Sequence, residues 1–373
     1  MFIRSILKAS ALLYTAVSAQ TACNNSPSLC SRPYNNITNL GTHNAAFLRD
    51  ESTSFNTAGN QFYNATVQLS AGVRMLTAQV HQFNTSSGAS EWHLCHGKCD
   101  FLDAGKLENW LREVKTWMDA NTNDVVTILL VNSDRATADV LGGQFSASGI
   151  DKYAYSPSNS SSTSGGGTTT LPQTWPTLQN LISNNTRLVT FIASLPNPSS
   201  KYPYLLDEFT YVYENNFENE TPTAYSCDPN RPTGLTRESA VSSNRMFLMN
   251  HFLYSTQLFG IQQPNVTYTN VTNSVNGGQG SLGAAISNCT GVYNKPPNFI
   301  LVDFFNVGPA IESVDRANGV QQAVGRQAVS TAIVDDKNSK SGKPGQPNTA
   351  EGGARASFAA MVGAVGFAVA LGL

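Results

Sequence analysis

His43 stands where a strand is expected to end, a position at which enzymes place catalytic side chains. Residues 36–40 alternate polar and apolar side chains as a short strand does, and Gly41 lets the backbone turn before His43 and Asn44. A histidine at such a strand end can act as a general base near neutral pH. The other interpretation is a histidine that only caps the strand. The position makes His43 a candidate catalytic residue.

Polar side chains recur at the ends of further predicted strands. A short strand ends at His96, the apolar strand 299–304 carries Asp303 near its end, and His251 follows the strand 246–250. In parallel α/β folds, the carboxyl ends of the strands carry the chemistry. His96, Asp303 and His251 are therefore candidate site residues, with a packing role as the alternative for His251.

The predicted strand 73–81 has two faces, because side chains alternate along a strand. Thr77, Gln79 and His81 share one face, and His81 lies furthest toward the strand end. Arg74 falls on the opposite face, and we interpret it as structural.

Helices and strands alternate along the chain. Apolar residues at helical spacing predict a helix within 102–120, and the fully apolar strand 125–131 is typical of a parallel sheet. A helix over 175–182 and strands over 187–193 and 209–213 follow. This order, with polar residues at the strand ends, predicts an α/β fold of the distorted (β/α)8-barrel type. A doubly wound sheet is the alternative.

Residues 1–19 have the pattern of a secretion signal. Arg4 and Lys8 accompany an apolar stretch, and small residues precede Gln20. We therefore expect the folded barrel domain to occupy residues 20–335.

The carboxyl-terminal part of the sequence predicts a glycosylphosphatidylinositol (GPI) anchor. Residues 336–348 are rich in Lys, Ser, Gly and Pro and indicate a flexible linker, and residues 349–373 combine small residues, a polar spacer and an apolar tail. Asn348 is the predicted attachment residue, with Ser341 and Gly352 as alternatives. The other interpretation is a single-pass helix, for which the apolar stretch is short.

The composition favours a cell-surface glycoprotein. The formal net charge is −2 and there is no basic run, which argues against a nucleic-acid partner. Ten glycosylation sequons begin at Asn24, Asn36, Asn64, Asn84, Asn159, Asn184, Asn219, Asn265, Asn270 and Asn288.

Six cysteines fit an oxidising compartment. Fifteen pairings are possible in principle. The simplest is a local one, which joins Cys23 to Cys30, Cys95 to Cys99 and Cys227 to Cys289. A metal cluster of His93, Cys95, His96 and Cys99 is the alternative, but an oxidised cysteine pair offers no thiolate ligands.

Several segments resemble, in the same order, the phosphatidylinositol-specific phospholipase C-like phosphodiesterases of the catalytic X-domain type. The closest resemblance is to the secreted or glycolipid-anchored fungal group. The segments are GTHNAAF at Gly41, QLSAGVRMLTAQVH at Gln68, HLCHGKC at His93, VVTILLVNSD at Val125, MNHF at Met249 and NFILVDFFNVG at Asn298.

The resemblance implies a distorted TIM-type barrel and a two-histidine mechanism. By resemblance, His43 is the base that takes the proton from an inositol 2-hydroxyl, and His96 is the acid that protonates the leaving oxygen. Asp303 matches the carboxylate that holds the base. Asn44 matches an asparagine that helps to hold calcium in the metal-dependent members.

The sequence departs from the family at two positions of strand 73–81. Metal-dependent members carry acidic ligands where this chain has Thr77 and Gln79, and metal-independent members carry an arginine at the position of Gln79. No cofactor is therefore expected, and calcium held through Asn44 is not favoured. We hypothesise that His81, protonated, supplies the missing cation; the alternative is a surface histidine beyond the strand end. We interpret Asp134, after strand 125–131, as a strand cap.

The most favoured function is a cell-surface phosphodiesterase that cleaves the head group of a phospholipid or glycolipid of the phosphatidylinositol type. His43, His96 and Asp303 are its expected catalytic residues. Gln79, with Asn44, His81 and His251, is expected to bind substrate. The alternative is a degenerate surface glycoprotein that binds phosphoinositol or wall glycans. A glycoside hydrolase is a distant third, because it needs two facing carboxylates.

Overall fold

The computed structural model describes residues 22–157, 171–172, 174–256, 262–276 and 278–335. The predicted secretion signal, linker and anchor signal, Asn348 included, lie outside the described residues, as do Asn159 and most of the serine-rich stretch around it. Within the described part of the chain, no helix is long and apolar enough to cross a membrane.

The described residues form twelve strands and nine α-helices. The strands are β1 (Asn39–Thr42), β2 (Met75–Asn84), β3 (Ser90–Cys95), β4 (Asp103–Lys106), β5 (Val126–Asn132), β6 (Leu188–Ala193), β7 (Leu205–Asp207), β8 (Val212–Glu214), β9 (Met246–Asn250), β10 (Tyr254–Thr256), β11 (Gln262–Pro264) and β12 (Phe299–Val302). The helices are α1 (Ala65–Ala71), α2 (Leu107–Ala120), α3 (Ala138–Ser148), α4 (Leu178–Ser183), α5 (Glu208–Tyr211), α6 (Arg237–Ser242), α7 (Thr269–Thr272), α8 (Leu282–Tyr293) and α9 (Ala310–Asn318).

Eight strands form a curled parallel sheet whose order is β7-β6-β5-β2-β1-β12-β9-β8. Read from β1, these strands follow one another around the barrel in chain order, as in a (β/α)8 barrel. The sheet ends at β7 and β8, so the barrel is open there and α5 lies between the two strands. The predicted α/β barrel is confirmed, and the chain order excludes the doubly wound alternative. We call the carboxyl ends of the strands the mouth and the amino ends the bottom.

Alternating side chains divide the hydrophobic core into two layers. One face of each strand fills the barrel interior, for example Met75, Leu129, Phe191 and Leu301. The other face packs against the surrounding helices, for example Leu76, Ile128, Leu111 and Val114. Thr77, Gln79 and His81 follow Met75 on the interior face, so the predicted parity of β2 places them toward the mouth.

The strand predicted at 91–96 is not a barrel strand. It is β3, which pairs antiparallel with β2 so that Val80 lies opposite Leu94. Because β2 continues past the mouth before the chain turns, β3 brings the chain back to the mouth at His96. We call the segment from β2 to β4 the mouth hairpin. Sequence alternation alone cannot distinguish such a hairpin strand from a barrel strand.

Several predicted elements begin later than expected, among them the helix predicted over 175–182, which begins at Leu178. Two of them have a clear physical cause. The helix predicted within 102–120 begins at Leu107, because residues Asp103–Lys106 pair with β3. The strand predicted over 209–213 is replaced at its start by α5, because the Asp207 side chain accepts a hydrogen bond from the Thr210 amide and caps a helical turn.

Three disulfides join the cysteines in the simplest local pairing. They are Cys23–Cys30, Cys95–Cys99 and Cys227–Cys289. A metal cluster is not formed, because Cys95 and Cys99 are bonded to each other. The first bridge lies at the bottom of the barrel, and the second closes the loop that follows His96.

Candidate active site

His43 and Asp303 form a hydrogen-bonded pair at the mouth. The two residues follow the neighbouring strands β1 and β12, and His43 Nδ1 donates to Asp303 Oδ1 at 2.9 Å. The bond leaves Nε2 of His43 as the nitrogen that can exchange a proton. The imidazole also stacks on Phe252, with ring centroids 3.8 Å apart and planes 3° from parallel. The ring is therefore fixed in tautomer and orientation, as a general base requires.

Three amide side chains that the sequence analysis missed support this pair. Asn60 Nδ2 donates to Asp303 Oδ1 at 3.0 Å, and Gln61 Nε2 donates to the His43 carbonyl at 2.9 Å. Asn273 Nδ2 donates to the carbonyls of Asp303 and Val307 and so fixes the loop after β12. All three lie in irregular segments, where no periodic pattern marks them.

His96 enters the mouth from the hairpin. It is half-buried, and its ring lies 5.2 Å from the ring of Phe47. The next residue, Gly97, donates its amide to Gln79 Oε1 at 2.8 Å and so ties the loop to β2. Burial, together with smaller contributions from the charges of His43 and His81, lowers the pKa of His96 to about 4. The three histidines are thus close enough to influence one another's charge.

His81 also faces the mouth and has a carboxylate partner. Its Nδ1 lies 3.3 Å from Asp134 Oδ1, and the other oxygen of Asp134 accepts the Gln82 amide at 2.8 Å. The side chain of His81 is 13% exposed, and its buried Nε2 has no hydrogen-bond partner among the described residues. His81 is therefore not a surface residue beyond the strand end. Asp134 does more than cap a strand, since it also positions His81.

The residues around Asn44 do not fit a calcium ion. Thr77 Oγ1 accepts the Asn44 amide at 2.9 Å, and Gln79 Nε2 donates to Asn44 Oδ1 at 3.4 Å. These oxygens are neutral and already engaged, whereas calcium prefers several carboxylate oxygens. Within the described residues, no group of three His, Cys, Asp or Glu side chains could hold a metal ion.

The structure does not bring His251 to the mouth. Its side chain is fully buried, Nε2 donates to the Thr272 carbonyl at 3.0 Å, and its ring stacks on Tyr225 at 4.2 Å. Burial lowers its pKa to about 4, so it is neutral. Asn250 faces the interior, and its neighbour His251 therefore points the opposite way. The packing alternative describes this residue.

His93 stabilises the mouth hairpin. Its Nδ1 lies 2.8 Å from Asp103 Oδ2, and its Nε2 lies 3.1 Å from Glu91 Oε2. Phe83 stacks on the ring at 4.4 Å. Arg74 is buried and pairs with Asp124 at 2.6 Å, as its structural interpretation predicts.

A second charged group, also missed from the sequence, lies at the open side of the barrel. Glu208 begins α5 and Glu214 ends β8, and both are at most 2% exposed. Arg231 and Asn250 donate to Glu214, the latter at 3.1 Å. Burial and the neighbouring Glu214 raise the pKa of Glu208 well above its usual range. These carboxyl groups are too enclosed to flank a glycosidic bond, which removes the support for a glycoside hydrolase.

The chain is similar to proteins with a PI-PLC X domain. The family model described as PI-PLC X 1 matches residues 29–318. The chain is 32% identical over 299 residues to "PI-PLC X domain-containing protein 1" of Arthroderma benhamiae, covering 80% of this chain and 90% of that protein. It is 37% identical over 295 residues to an "Uncharacterized secreted protein" of the same organism, covering 78% of this chain and 62% of that protein.

A solved structure with a similar fold is the phosphatidylinositol-specific phospholipase C from Listeria monocytogenes. The TM-score is 0.46 and the identity 14%, over 79% of this chain and 96% of that chain. The family assignment depends instead on the sequence matches, which extend over the whole barrel from the first disulfide to α9. This chain belongs to the PI-PLC X domain family.

Proposed function

We propose that the protein is an extracellular phosphodiesterase that cleaves the head group of an inositol phospholipid or glycolipid. The observation that carries this proposal is the His43–Asp303 pair at the mouth, with His96 held beside it by the hairpin. The name of one relative, a secreted protein, and the predicted signal peptide support the extracellular location. The predicted GPI anchor would hold the protein at the cell surface.

The proposed reaction uses the substrate's own hydroxyl as nucleophile. His43 Nε2 takes the proton of the inositol 2-hydroxyl as its oxygen forms a bond to phosphorus. The bond from phosphorus to the glycerol oxygen breaks, and His96 gives that oxygen a proton. The products are a cyclic inositol phosphate and diacylglycerol. Asp303 keeps the proton on Nδ1 of His43 and stabilises the imidazolium that forms.

His81 is the proposed source of positive charge. Its unpartnered Nε2 can donate to a phosphate oxygen, and Asp134 Oδ1 lies 3.3 Å from Nδ1 on the other side of the ring. Negative charge develops on the phosphate in the transition state. Electrostatic stabilisation of such charge is usually the largest single contribution to the rate enhancement of an enzyme. This arrangement replaces the arginine or calcium used by the related enzymes that the sequence resembles.

A low pKa for His96 is compatible with its role as the acid. In the free protein, burial and two histidine neighbours disfavour the imidazolium. A phosphodiester bound between the rings brings a negative charge, which favours protonation. His96 is then proposed to carry its proton in the substrate complex.

The test is hydrolysis of phosphatidylinositol by the purified mature protein, in calcium and in EDTA. We expect equal rates in both and a loss of at least about 10²-fold in His43→Ala. Thermal unfolding of the variant serves as a control for the fold. Binding of inositol phosphate without turnover in any condition would favour the degenerate binding protein instead.

A further inference from the structure

The last described segment, residues 320–335, starts at the bottom of the barrel. Val324 and Asn25 exchange two hydrogen bonds, since the Val324 amide and the Asn25 side chain each donate to the other's carbonyl at 2.8 Å. Asn25 lies at the bottom because its side chain also accepts from Arg74, which pairs with Asp124 just before β5.

The segment then runs along the outside of the barrel, from the bottom toward the mouth. Arg326 pairs with Asp315 of α9 through two hydrogen bonds of 2.6 and 2.7 Å, and the Gln327 amide donates to the Ser70 carbonyl at 2.9 Å. Ser70 is near the end of α1, which runs from the mouth to the bottom. The segment therefore runs antiparallel to α1, toward the mouth.

The segment ends at the rim of the mouth. Asn306, three residues after Asp303, donates to the carbonyls of Ser330 and Ala332 at 2.8 and 3.2 Å. Val334 packs against a cluster that includes Phe304. The last described residues, up to Asp335, therefore lie beside the active site.

The length of the linker makes this exit point important. From Asp335 to Asn348 the chain can span at most about 45 Å when fully extended. A barrel of this size is about 50 Å across. A linker that left from the bottom would use its whole reach before the mouth met the membrane, whereas a linker from the rim uses almost none.

A second observation at the rim agrees with a nearby membrane. Phe101 follows the disulfide loop after His96 and is 58% exposed. Its carbonyl accepts a hydrogen bond from Asn56 at 2.9 Å, which fixes the backbone beneath the ring. An exposed aromatic side chain beside a polar mouth suits the interface between head groups and acyl chains.

We propose that the protein is tethered mouth-first, so that its anchor holds the active site against the membrane and the site acts on lipid head groups of that same membrane. The inference deepens the proposed function and depends on it and on the predicted anchor. The tether also raises the local concentration of substrate, because enzyme and lipid share one surface.

The first test uses the anchored full chain with inserts placed after Asp335. A rigid helical insert of about 40 residues adds about 60 Å, and a flexible Gly/Ser insert of the same length serves as the matched control. We expect the rigid insert to lower hydrolysis of lipid in the anchoring membrane at least about tenfold, and the flexible insert to change it less than about threefold. Hydrolysis of a soluble inositol phosphodiester should stay equal in both.

The second test measures orientation without activity. A donor dye is attached to Ser87→Cys at the tip of the mouth hairpin or to Ser31→Cys at the bottom, both exposed, and acceptor lipid is added to vesicles carrying the purified anchored protein. Stronger energy transfer from position 87 supports the proposal. Equal transfer, stronger transfer from position 31, or a purified chain without an anchor overturns it.

The two tests separate failure of the inference from failure of the proposed function. Absence of hydrolysis on membrane and soluble substrates alike, with strong transfer from position 87, would overturn the enzyme and keep the orientation. Normal hydrolysis that the rigid insert leaves unchanged would keep the enzyme and overturn the orientation.

Discussion

At the scale of single residues, three histidines of the mouth differ through their neighbours. His43 donates to Asp303 and His81 lies beside Asp134. His96 lies against Phe47, and the charges of the other two histidines influence it. A carboxylate partner fixes the tautomer and orientation of a ring, and burial disfavours the imidazolium of His96. The same side chain is thereby suited to act as base, cation or acid.

We predict that His81→Ala changes both the rate and its pH dependence. Loss of one electrostatic contact to the transition state should lower kcat/KM about 10²- to 10³-fold. Removal of the His81 charge should also raise the pKa of His96, so that the limb of kcat/KM that falls above about pH 4 moves to higher pH. A pH profile of kcat/KM measures both effects. Asp134→Asn, which keeps the His81 ring, is the control and should cause a smaller loss of kcat/KM.

A falling limb that His81→Ala leaves in place would contradict the assignment of His81 to the mouth. A loss of activity accompanied by a lower Tm and no shift would indicate a structural role only.

The sequence could locate His43, His96 and Asp303 because each follows or nearly ends a patterned strand. It could not locate Asn60 or Asn273, because irregular loops have no period and their side chains act only through the folded backbone. The sequence analysis placed His251 near the mouth because the residue follows a strand. A strand end fixes only the position of a residue along the barrel axis. Whether its side chain points into the barrel or outward depends on the alternation of side chains along the strand.

At the scale of elements, the mouth hairpin determines the position of His96, the proposed acid. No barrel strand carries His96; the chain reaches it by leaving the mouth along β2 and returning along β3. The Cys95–Cys99 disulfide and the Gly97–Gln79 hydrogen bond then hold the loop in place. The position of the proposed acid therefore depends on a surface element and its bonds.

We predict that the double variant Cys95→Ser/Cys99→Ser has a strongly reduced kcat and only a moderately reduced stability. Opening such a short loop should cost about 2 kcal/mol of unfolding free energy, while the freed loop lowers kcat at least about tenfold. Cys23→Ser/Cys30→Ser at the bottom is the matched control. It should lower the Tm by a similar amount and leave kcat of the folded protein unchanged. Equal kcat in both variants would contradict a positioning role for the loop.

The open side of the barrel between β7 and β8 holds a buried acid, Glu208, whose pKa is raised well above its usual range. Because burial and Glu214 raise the pKa of Glu208, this group contributes stability at low pH. The contribution begins to be lost as the pH rises above 4.5, the ordinary pKa of the group. It is lost fully once the pH passes the raised pKa that Glu208 has in the folded protein. Glu214 behaves differently: burial would raise its pKa, but Arg231 holds it below the usual value.

We predict opposite effects of two matched substitutions there. Glu208→Gln keeps the shape of the neutral acid and should raise the Tm relative to the native protein at pH 7 to 8, with no gain at pH 4. Glu214→Gln leaves Arg231 without its carboxylate and should cost about 3 kcal/mol at pH 7. Thermal unfolding across this pH range measures both. A lower Tm for Glu208→Gln at pH 8 would show that Glu208 is ionised in the fold.

At the scale of the whole molecule, the sequence specifies the barrel better than its irregularities. The apolar strands β5, β6, β9 and β12 begin within one residue of their predicted positions, because strands buried on both faces have strong apolar patterns. The gap between β7 and β8 was not predictable, since those short strands lie beside capping and helical residues. β7 and β8 do not pair because of how the whole barrel is arranged, and not because of the conformational preferences of their own residues.

The barrel and the exit of the chain together relate the site to its surroundings. Parallel strands gather His43, His81 and Asp303 at one mouth, and the segment after α9 returns the chain to the same mouth. In the proposed function and tethering, one face of the barrel would serve both catalysis and attachment to the membrane.

In the proposed reaction, His43 removes a proton from the substrate hydroxyl and His96 supplies one to the leaving oxygen. The most direct measurement compares His43→Ala and His96→Ala on phosphatidylinositol and on a water-soluble inositol phosphodiester whose nitrophenolate leaving group needs no proton. We expect His43→Ala to lose at least about 10²-fold on both substrates, whereas His96→Ala should lose as much on the lipid and less than about tenfold on the activated ester. Equal losses of His96→Ala on both substrates would contradict its role as the acid.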